Sequence, residues 1–193
     1  MEAIAARWEW RHFYEALEPA EALIRELGGE ARLRESEEIY IVSRASGDNI
    51  KVRHGRLDIK ERIRVDARGL EQWRPRLKSG FPLPPDVLGA LQEIWGVSLD
   101  LDAGPVDLES LVQAAGRRGE LVAVEVAKQR YGYSIEGTAV EIAALSVDGR
   151  PIRTICVEHA DPDRVHRLLA RLGLADLENT SYVLALKRLL GWA

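Results

Sequence analysis

The sequence has a single cysteine, Cys156, and this scarcity excludes several classes of protein. One thiol cannot form an internal disulfide or a multi-thiolate zinc site, and a lone cysteine is more often a small buried apolar residue than a nucleophile. The four histidines follow no metal-binding spacing. A glycine-rich phosphate loop and a nucleophile elbow are absent as well. We therefore expect Cys156 to pack in the core, and we assign the histidines no role.

The sequence also lacks a long apolar run, so no segment of it is expected to span a membrane. The first residues reach charged side chains at once, unlike the basic start and apolar run of a signal peptide. We therefore expect a cytoplasmic protein with no membrane partner. The net charge of −4 argues against general nucleic-acid binding, because domains that bind nucleic acid are usually basic. Whether the chain forms a homodimer is left open.

The length and hydrophobic pattern predict one mainly antiparallel α+β domain over residues 1–193. About seven or eight segments alternate apolar and polar residues as strands do, and four or five have helical periodicity. In the strand from Leu57 to Val65 we expect Leu57, Ile59, Ile63 and Val65 to share the apolar face. Residues 69–118 have less strand character, with one or two helical turns expected from Leu70 to Leu77. We therefore predict a helical insertion at about 69–118.

Several predicted strands have one apolar face and a pair of like charges on the other. The segment from Arg44 to Arg68 contains eight basic and four acidic residues, so its net charge is +4. Such a cluster needs either open solvent or an anionic ligand, because like charges repel and are costly to remove from water. Arginine and lysine suit phosphate, so convergent strands would match a triphosphate. The basic pairs are Lys51 with Arg53, Lys60 with Arg62, and Lys128 with Arg130.

Three glutamates in or beside apolar strand segments are candidates for holding a metal ion at such a phosphate site. Glu9 shares a strand face with Arg11, and Glu141 and Glu158 have apolar neighbours. Carboxylates commonly bridge Mg²⁺ to substrate phosphates. A salt bridge from each glutamate to a nearby arginine is an equally good interpretation of the pattern.

In order and residue type, these segments resemble the CYTH superfamily, the triphosphate tunnel metalloenzymes. The resemblance covers most of the chain, although each motif is short. It consists of Trp8-Glu9-Trp10-Arg11, a helix, Lys51-Val52-Arg53, Leu57-Asp58-Ile59-Lys60-Glu61-Arg62, a helical stretch, Lys128-Gln129-Arg130-Tyr131, Glu141, a turn at Asp148-Gly149, Glu158 and a final Asn-Thr-Ser-Tyr helix.

The resemblance implies an eight-stranded antiparallel β tunnel or barrel with helices packed outside. It also implies metal-dependent hydrolysis of a triphosphate or polyphosphate, with Mg²⁺ or Mn²⁺ held by Glu9, Glu141 and Glu158. Glu9 and Arg11 are the predicted catalytic residues. The predicted phosphate-binding residues are Arg44, Lys51, Arg53, Lys60, Arg62, Lys128 and Arg130.

The chain departs from the family pattern at two acidic positions. The opening signature of two glutamates and a lysine is represented here by Arg7, Glu9 and Arg11, and the late Glu-x-Glu pattern by Cys156 and Glu158. The loss of carboxylates weakens metal binding more than phosphate binding. The alternative to an enzyme is therefore a non-catalytic polyphosphate or nucleotide-binding module of the same fold. A third alternative is an interaction domain whose basic strands face solvent.

Overall fold

A computed structural model describes residues 5–101 and 104–193 of the chain. None of the helices in these two ranges has the length and apolar character needed to cross a membrane. The strands are β1 (Arg7–Tyr14), β2 (Arg32–Ser43), β3 (Asn49–Arg53), β4 (Arg56–Val65), β5 (Glu71–Gly80), β6 (Leu121–Ile135), β7 (Thr138–Val147) and β8 (Arg150–His159). The helices are α1 (Glu18–Gly28), α2 (Pro85–Trp95), α3 (Leu108–Gly116), α4 (Pro162–Arg171) and α5 (Tyr182–Leu189).

The strands form a closed barrel in the hydrogen-bonded order β1-β5-β4-β3-β2-β6-β7-β8. Antiparallel pairing is seen, for example, where β8 runs between β1 and β7. The predicted α+β fold with an eight-stranded antiparallel barrel is therefore confirmed. Because side chains alternate between the two faces of a strand, each strand can send apolar residues to one side and charged residues to the other.

Contacts divide the chain into two compact units. Unit 1 comprises the residues up to Ser36, together with Arg62–Arg74 and Ala127–Ser181. Unit 2 comprises Glu37–Glu61, Pro75–Val126 and the residues from Tyr182 onward. Several strands contribute residues to both units, and the single domain over residues 1–193 stays a prediction.

The core of unit 1 lies under α1 and α4. Trp8 and Trp10 of β1 are buried there with Ile24 of α1 and Val165 of α4. Asp161 caps the start of helix α4, because its side chain accepts a hydrogen bond from the backbone N–H of Asp163 and a proline follows it. The apolar face of β1 thus packs in the same core as the helices, and Glu9 and Arg11 lie on its opposite face.

The core of unit 2 packs strand residues against α2 and α3. Leu57 and Ile59 of β4 are fully buried together with Leu91 and Trp95 of α2 and Leu111 of α3. Further along β4, Ile63 and Val65 are 41% and 50% exposed. Neither Ile63 nor Val65 belongs to the core of unit 1 or to that of unit 2. The apolar face predicted for this strand is therefore buried only in its first half.

The helical turns predicted from Leu70 to Leu77 are wrong. The segment is strand β5, which pairs with β1 from Glu71 to Trp73. Pro75 lacks a backbone N–H, and because proline is uncommon in a central strand, it weakens the strand pattern of this segment. The alternating bases Arg74, Arg76 and Lys78 repeat the pattern of the other strands. Helical structure in the predicted insertion begins at Pro85.

Candidate functional site

A cavity of about 500 Å³ lies within unit 1, a volume in the usual range of ligand pockets. Its walls come from β1, β2, β6, β7 and β8, from the last residue of α1 and from the loop between α1 and β2. Both signs of charge are present on these walls, together with small and aromatic residues. The lining residues are Arg11, Gly28, Glu30, Arg32, Arg34, Arg130, Gly132, Tyr133, Ser134, Ala139, Val140, Glu141, Cys156 and Glu158.

Four arginines from three strands distant in sequence meet at this cavity. Arg11 belongs to β1, Arg32 and Arg34 to β2, and Arg130 to β6. Arg130 donates a hydrogen bond of 3.2 Å to Oγ of Ser36, and its buried Nε has no hydrogen-bond partner among the described residues. The structure thus brings Arg11 and Arg130 to the wall of one cavity.

Sequence reasoning missed Arg32 and Arg34, which are exposed residues of the cavity wall. Neither makes an ion pair or a side-chain hydrogen bond within residues 5–101 and 104–193. They are two residues apart in β2 and therefore face the same side of the strand. This is the spacing that identified the other basic pairs, so the signal was present in the sequence.

Glutamates of neighbouring strands lie beside this cavity, in rows of residues that run across the strands. Glu9 of β1 is directly opposite Glu71 of β5 on one side and Glu158 of β8 on the other. Glu141 of β7 is opposite Cys156 in the next row. Like charges directly opposite each other destabilise a sheet, so these rows need counter-charges.

Arg11 provides one of those counter-charges from a nearly buried position. Its Nε lies 3.1 Å from Oε1 of Glu9, and its Nη1 lies 3.6 Å from Oε1 of Glu141. The Arg11 side chain is only 8% exposed, and the carboxylates therefore compensate a cation that burial would otherwise disfavour.

Arg7 and Arg62 compensate the two outer glutamates of the row. Nη1 of Arg7 lies 3.2 Å from Oε1 of Glu158, and Nη1 of Arg62 lies 2.7 Å from Oε1 of Glu71. Burial raises the pKa of Glu71 in spite of Arg62, and the charge of Glu9 raises it further. The row is thus held by ion pairs, which is one of the two interpretations left open by the sequence.

The donor chemistry of Glu9, Glu141 and Glu158 suits Mg²⁺ or Mn²⁺, because both ions prefer oxygen ligands. The arrangement of these carboxylates does not fit a ready metal centre. Each of the three has an arginine beside it. In the part of the chain that the structure describes, no group of three or more histidine, cysteine, aspartate or glutamate side chains is placed to hold a metal ion.

Cys156 lies in the wall of the cavity between Arg11 and Glu141 in the strand register. It is a buried residue, and this burial raises the pKa of its thiol well above the usual value. A neutral thiol at physiological pH is a poor nucleophile. The structure therefore agrees with Cys156 as a packing residue.

The loop before α5 holds the backbone of β1 at the site. Oδ1 of Asn179 accepts a hydrogen bond of 2.7 Å from the N–H of Arg11, and Nδ2 donates one of 2.9 Å to the carbonyl of Gly69. The N–H of Thr180 donates to the carbonyl of Arg11. Asn179 thus fixes the strand that carries Glu9 and Arg11, a role that the sequence did not indicate.

A second charged group lies in unit 2 around Glu38, whose side chain is fully buried. Oε2 of Glu38 lies 3.2 Å from Nζ of Lys51, and Oε1 lies 3.5 Å from Nη1 of Arg53. The Tyr40 hydroxyl donates a hydrogen bond of 3.0 Å to Glu38. Burial lowers the pKa of Lys51, and the Glu38 charge opposes that shift. Lys51 and Arg53, predicted phosphate ligands, therefore have a protein carboxylate as partner.

The other predicted phosphate ligands have different surroundings. Arg44 is exposed, with its guanidinium 4.3 Å from the centroid of the Trp192 ring. Lys60 is partly buried in β4, and Lys128 of β6 is only 5% exposed. Arg62 is committed to the ion pair with Glu71. None of these four residues is in the wall of the unit 1 cavity, and their roles stay predictions.

No family model and no curated protein matches the chain. Solved structures do resemble it. A conserved hypothetical protein from Pyrococcus furiosus matches with a TM-score of 0.53 and 18% identity, over 92% of this chain and 98% of its own. The PH1012 protein from Pyrococcus horikoshii OT3 gives 0.52 and 18%, over 92% and 97%.

A proposed adenylate cyclase from Bacillus halodurans also resembles the chain, with a TM-score of 0.50 and 12% identity over 93% of this chain and 97% of its own. At such low identity these three likenesses concern the fold. The chain is thus similar over nearly its whole length to solved proteins of about the same extent, and it shares their fold.

Proposed function

We propose that this chain binds a triphosphate or linear polyphosphate anion in the unit 1 cavity. The observation that carries the proposal is the meeting of Arg11, Arg32, Arg34 and Arg130 at one cavity of about 500 Å³. Arg32 and Arg34 have no carboxylate partner among the described residues. Guanidinium groups donate paired hydrogen bonds to phosphate oxygens, so they suit a ligand with several phosphates.

Two further observations support a phosphate ligand. The resemblance to the CYTH superfamily, seen in the order of the charged strands, implies a triphosphate site within an eight-stranded barrel. One of the similar structures is a proposed adenylate cyclase. The sequence also predicts Arg44, Lys51, Arg53, Lys60, Arg62 and Lys128 as phosphate ligands, but they lie outside the wall of this cavity, and their roles stay separate predictions.

Isothermal titration calorimetry with sodium tripolyphosphate tests the proposal. We expect saturable binding that orthophosphate does not reproduce at the same ionic strength, because a single phosphate engages fewer of the arginines. Arg130→Gln should weaken binding about tenfold, as expected for the loss of a hydrogen bond to a charged group. Arg150→Gln is the matched control, because Arg150 is exposed and does not line the cavity. Absence of saturable binding to the wild-type protein would reject the proposal.

Metal-dependent hydrolysis of the bound anion is the second candidate, and its support is the strand register that places Glu9 opposite Glu158 and puts Glu141 in the next row. These carboxylates would hold Mg²⁺ or Mn²⁺, and Glu9 and Arg11 would be catalytic. A bound divalent ion stabilises the charge that develops on a transferring phosphate. For this role the glutamates would have to leave Arg7 and Arg11, their present partners.

Phosphate release from tripolyphosphate in the presence of Mg²⁺ or Mn²⁺ separates the enzyme from the non-catalytic binding module. Release that EDTA abolishes and that Glu9→Gln reduces by at least tenfold supports the enzyme. Tight binding of tripolyphosphate without release in either metal supports the binding module. Parallel titration with ATP asks whether the organic part of a nucleotide contributes.

A further inference from the structure

The unit 1 site separates its charges into two groups. In the first group, three arginines neutralise the glutamates of β1, β5, β7 and β8. In the second group, the cavity-lining Arg32 and Arg34 have no ion-pair partner in the described ranges, and within the same ranges the Arg130 side chain donates a hydrogen bond to the neutral Ser36 and forms no ion pair. Glu30 is the remaining acid of the wall, and it forms no ion pair with these arginines. The uncompensated charge on this side of the cavity is therefore positive.

A divalent cation at the glutamates would have to displace an arginine. Arg11 would be difficult to displace, because its side chain is 8% exposed and its charge is compensated by Glu9 and Glu141. Removing one partner of a buried ion pair is strongly destabilising, since the other charge is left buried without compensation. The geometry thus disfavours a metal where the family resemblance would place one.

We propose that the cavity binds its phosphate chain directly through guanidinium groups, with no divalent cation between protein and phosphate, and that Arg32 and Arg34 form the main anion subsite. This inference rests on the proposed function and specifies how that site recognises its ligand. Arg7 and Arg11 keep the glutamates neutralised during binding. A magnesium-chelated phosphate chain offers less negative charge to arginine, and Mg²⁺ therefore competes with the protein for the anion.

The first experiment measures tripolyphosphate binding by calorimetry in EDTA and in excess Mg²⁺ at equal ionic strength. We expect the wild-type protein to bind in EDTA at least as tightly as in Mg²⁺. In EDTA, Arg32→Gln and Arg34→Gln should each weaken binding about tenfold, the loss typical of a charge-assisted hydrogen bond. The control Arg150→Gln removes the same charge from an exposed position outside the cavity and should bind as the wild type does.

The outcomes distinguish this inference from the proposed function. If the wild type binds tripolyphosphate under neither condition, the proposed function fails. If it binds only with Mg²⁺, the proposed function stands and the metal-free subsite is overturned. Unchanged binding by the Arg32→Gln/Arg34→Gln double variant in EDTA also overturns the subsite. Because both side chains are exposed, the variants should fold, and circular dichroism checks this.

A second experiment uses the metal alone. Mn²⁺ is titrated into the protein without phosphate, and its electron paramagnetic resonance signal reports the unbound ion. Because Glu9, Glu141 and Glu158 already form ion pairs with Arg7 and Arg11, we expect no saturable Mn²⁺ binding. Stoichiometric Mn²⁺ binding that Glu9→Gln removes would overturn the inference, whatever the result with the anion.

Discussion

Unit 1 and unit 2 both gather basic side chains around glutamates, but they differ in how much of the positive charge is compensated. In unit 2, Lys51 and Arg53 meet the fully buried Glu38. In unit 1, Arg32 and Arg34 line an open cavity and have no acidic partner in the described ranges. The same alternation of bases along a strand therefore has two outcomes: pairing with a buried carboxylate in unit 2, and exposure without an acidic partner at the cavity of unit 1.

The paired cations of unit 2 and the unpaired arginines of unit 1 are therefore expected to respond differently to mutation. Loss of a buried counter-charge should mainly reduce stability, because the remaining cation is already out of water. Loss of an exposed, unpaired cation should mainly reduce anion binding, because the fold gains little from it. The predictions below test that contrast, from the largest expected change in stability to the smallest.

The largest effect is expected from Glu38→Ala in unit 2. Removal of this fully buried carboxylate leaves Lys51, whose side chain is 12% exposed, without its counter-charge. We expect a decrease of about 3 to 5 kcal/mol in the free energy of unfolding. Urea unfolding followed by tryptophan fluorescence measures this change. The neighbouring exposed residue provides the control, since Glu37→Ala should be nearly neutral. Equal stability of the two variants would contradict the contrast.

A smaller decrease is expected from Asn179→Ala in unit 1. The variant loses the acceptor for the N–H of Arg11 and the donor to the carbonyl of Gly69. Loss of these hydrogen bonds should reduce the free energy of unfolding by about 2 kcal/mol. It should also weaken tripolyphosphate binding, because β1 carries Arg11. Asp176→Ala, at an exposed position of the same loop, should change neither quantity. Loss of stability with unchanged binding would show that Asn179 does not position the site.

Glu71→Gln tests the compensated row of unit 1 through pH. Burial raises the pKa of Glu71 in the folded protein, so the folded state retains a proton that the unfolded state has already lost. That contribution to stability is present below the usual glutamate pKa and is lost as the pH rises through the folded pKa. Glutamine does not titrate, so the stability of the variant relative to wild type should increase with pH. Urea midpoints on both sides of this range measure it, and a pH-independent difference would contradict the prediction.

The smallest change in stability is expected for Arg32→Gln/Arg34→Gln. Both arginines are exposed and unpaired among the described residues, so the free energy of unfolding should stay within about 0.5 kcal/mol of wild type. The same urea experiment measures it, with Arg150→Gln as the control. A loss comparable to that of Glu38→Ala would mean that Arg32 and Arg34 hold the fold together.

Most strands were accessible from the sequence because alternation is a local property, whereas the closed barrel was implied by the family resemblance. The faces of β1 could be read from Trp8, Trp10, Glu9 and Arg11 without any knowledge of their neighbours. Strand β5 was missed because Pro75 interrupts the usual pattern of a central strand. Within the candidate site, Arg130 was found by its spacing from Lys128 and Arg11 through the family resemblance, while Arg32 and Arg34 were overlooked although they have the spacing of the other basic pairs.

Which side chains share a face of each strand follows from the sequence alone, because it depends only on the two-residue repeat of extended chain. The partners in each ion pair could be identified only from the folded structure. The pairing of Arg7 with Glu158, and of Lys51 and Arg53 with Glu38, depends on strand register and on contacts between residues distant in the sequence. Electrostatic interaction depends on distance and burial, and neither quantity is encoded in the local pattern.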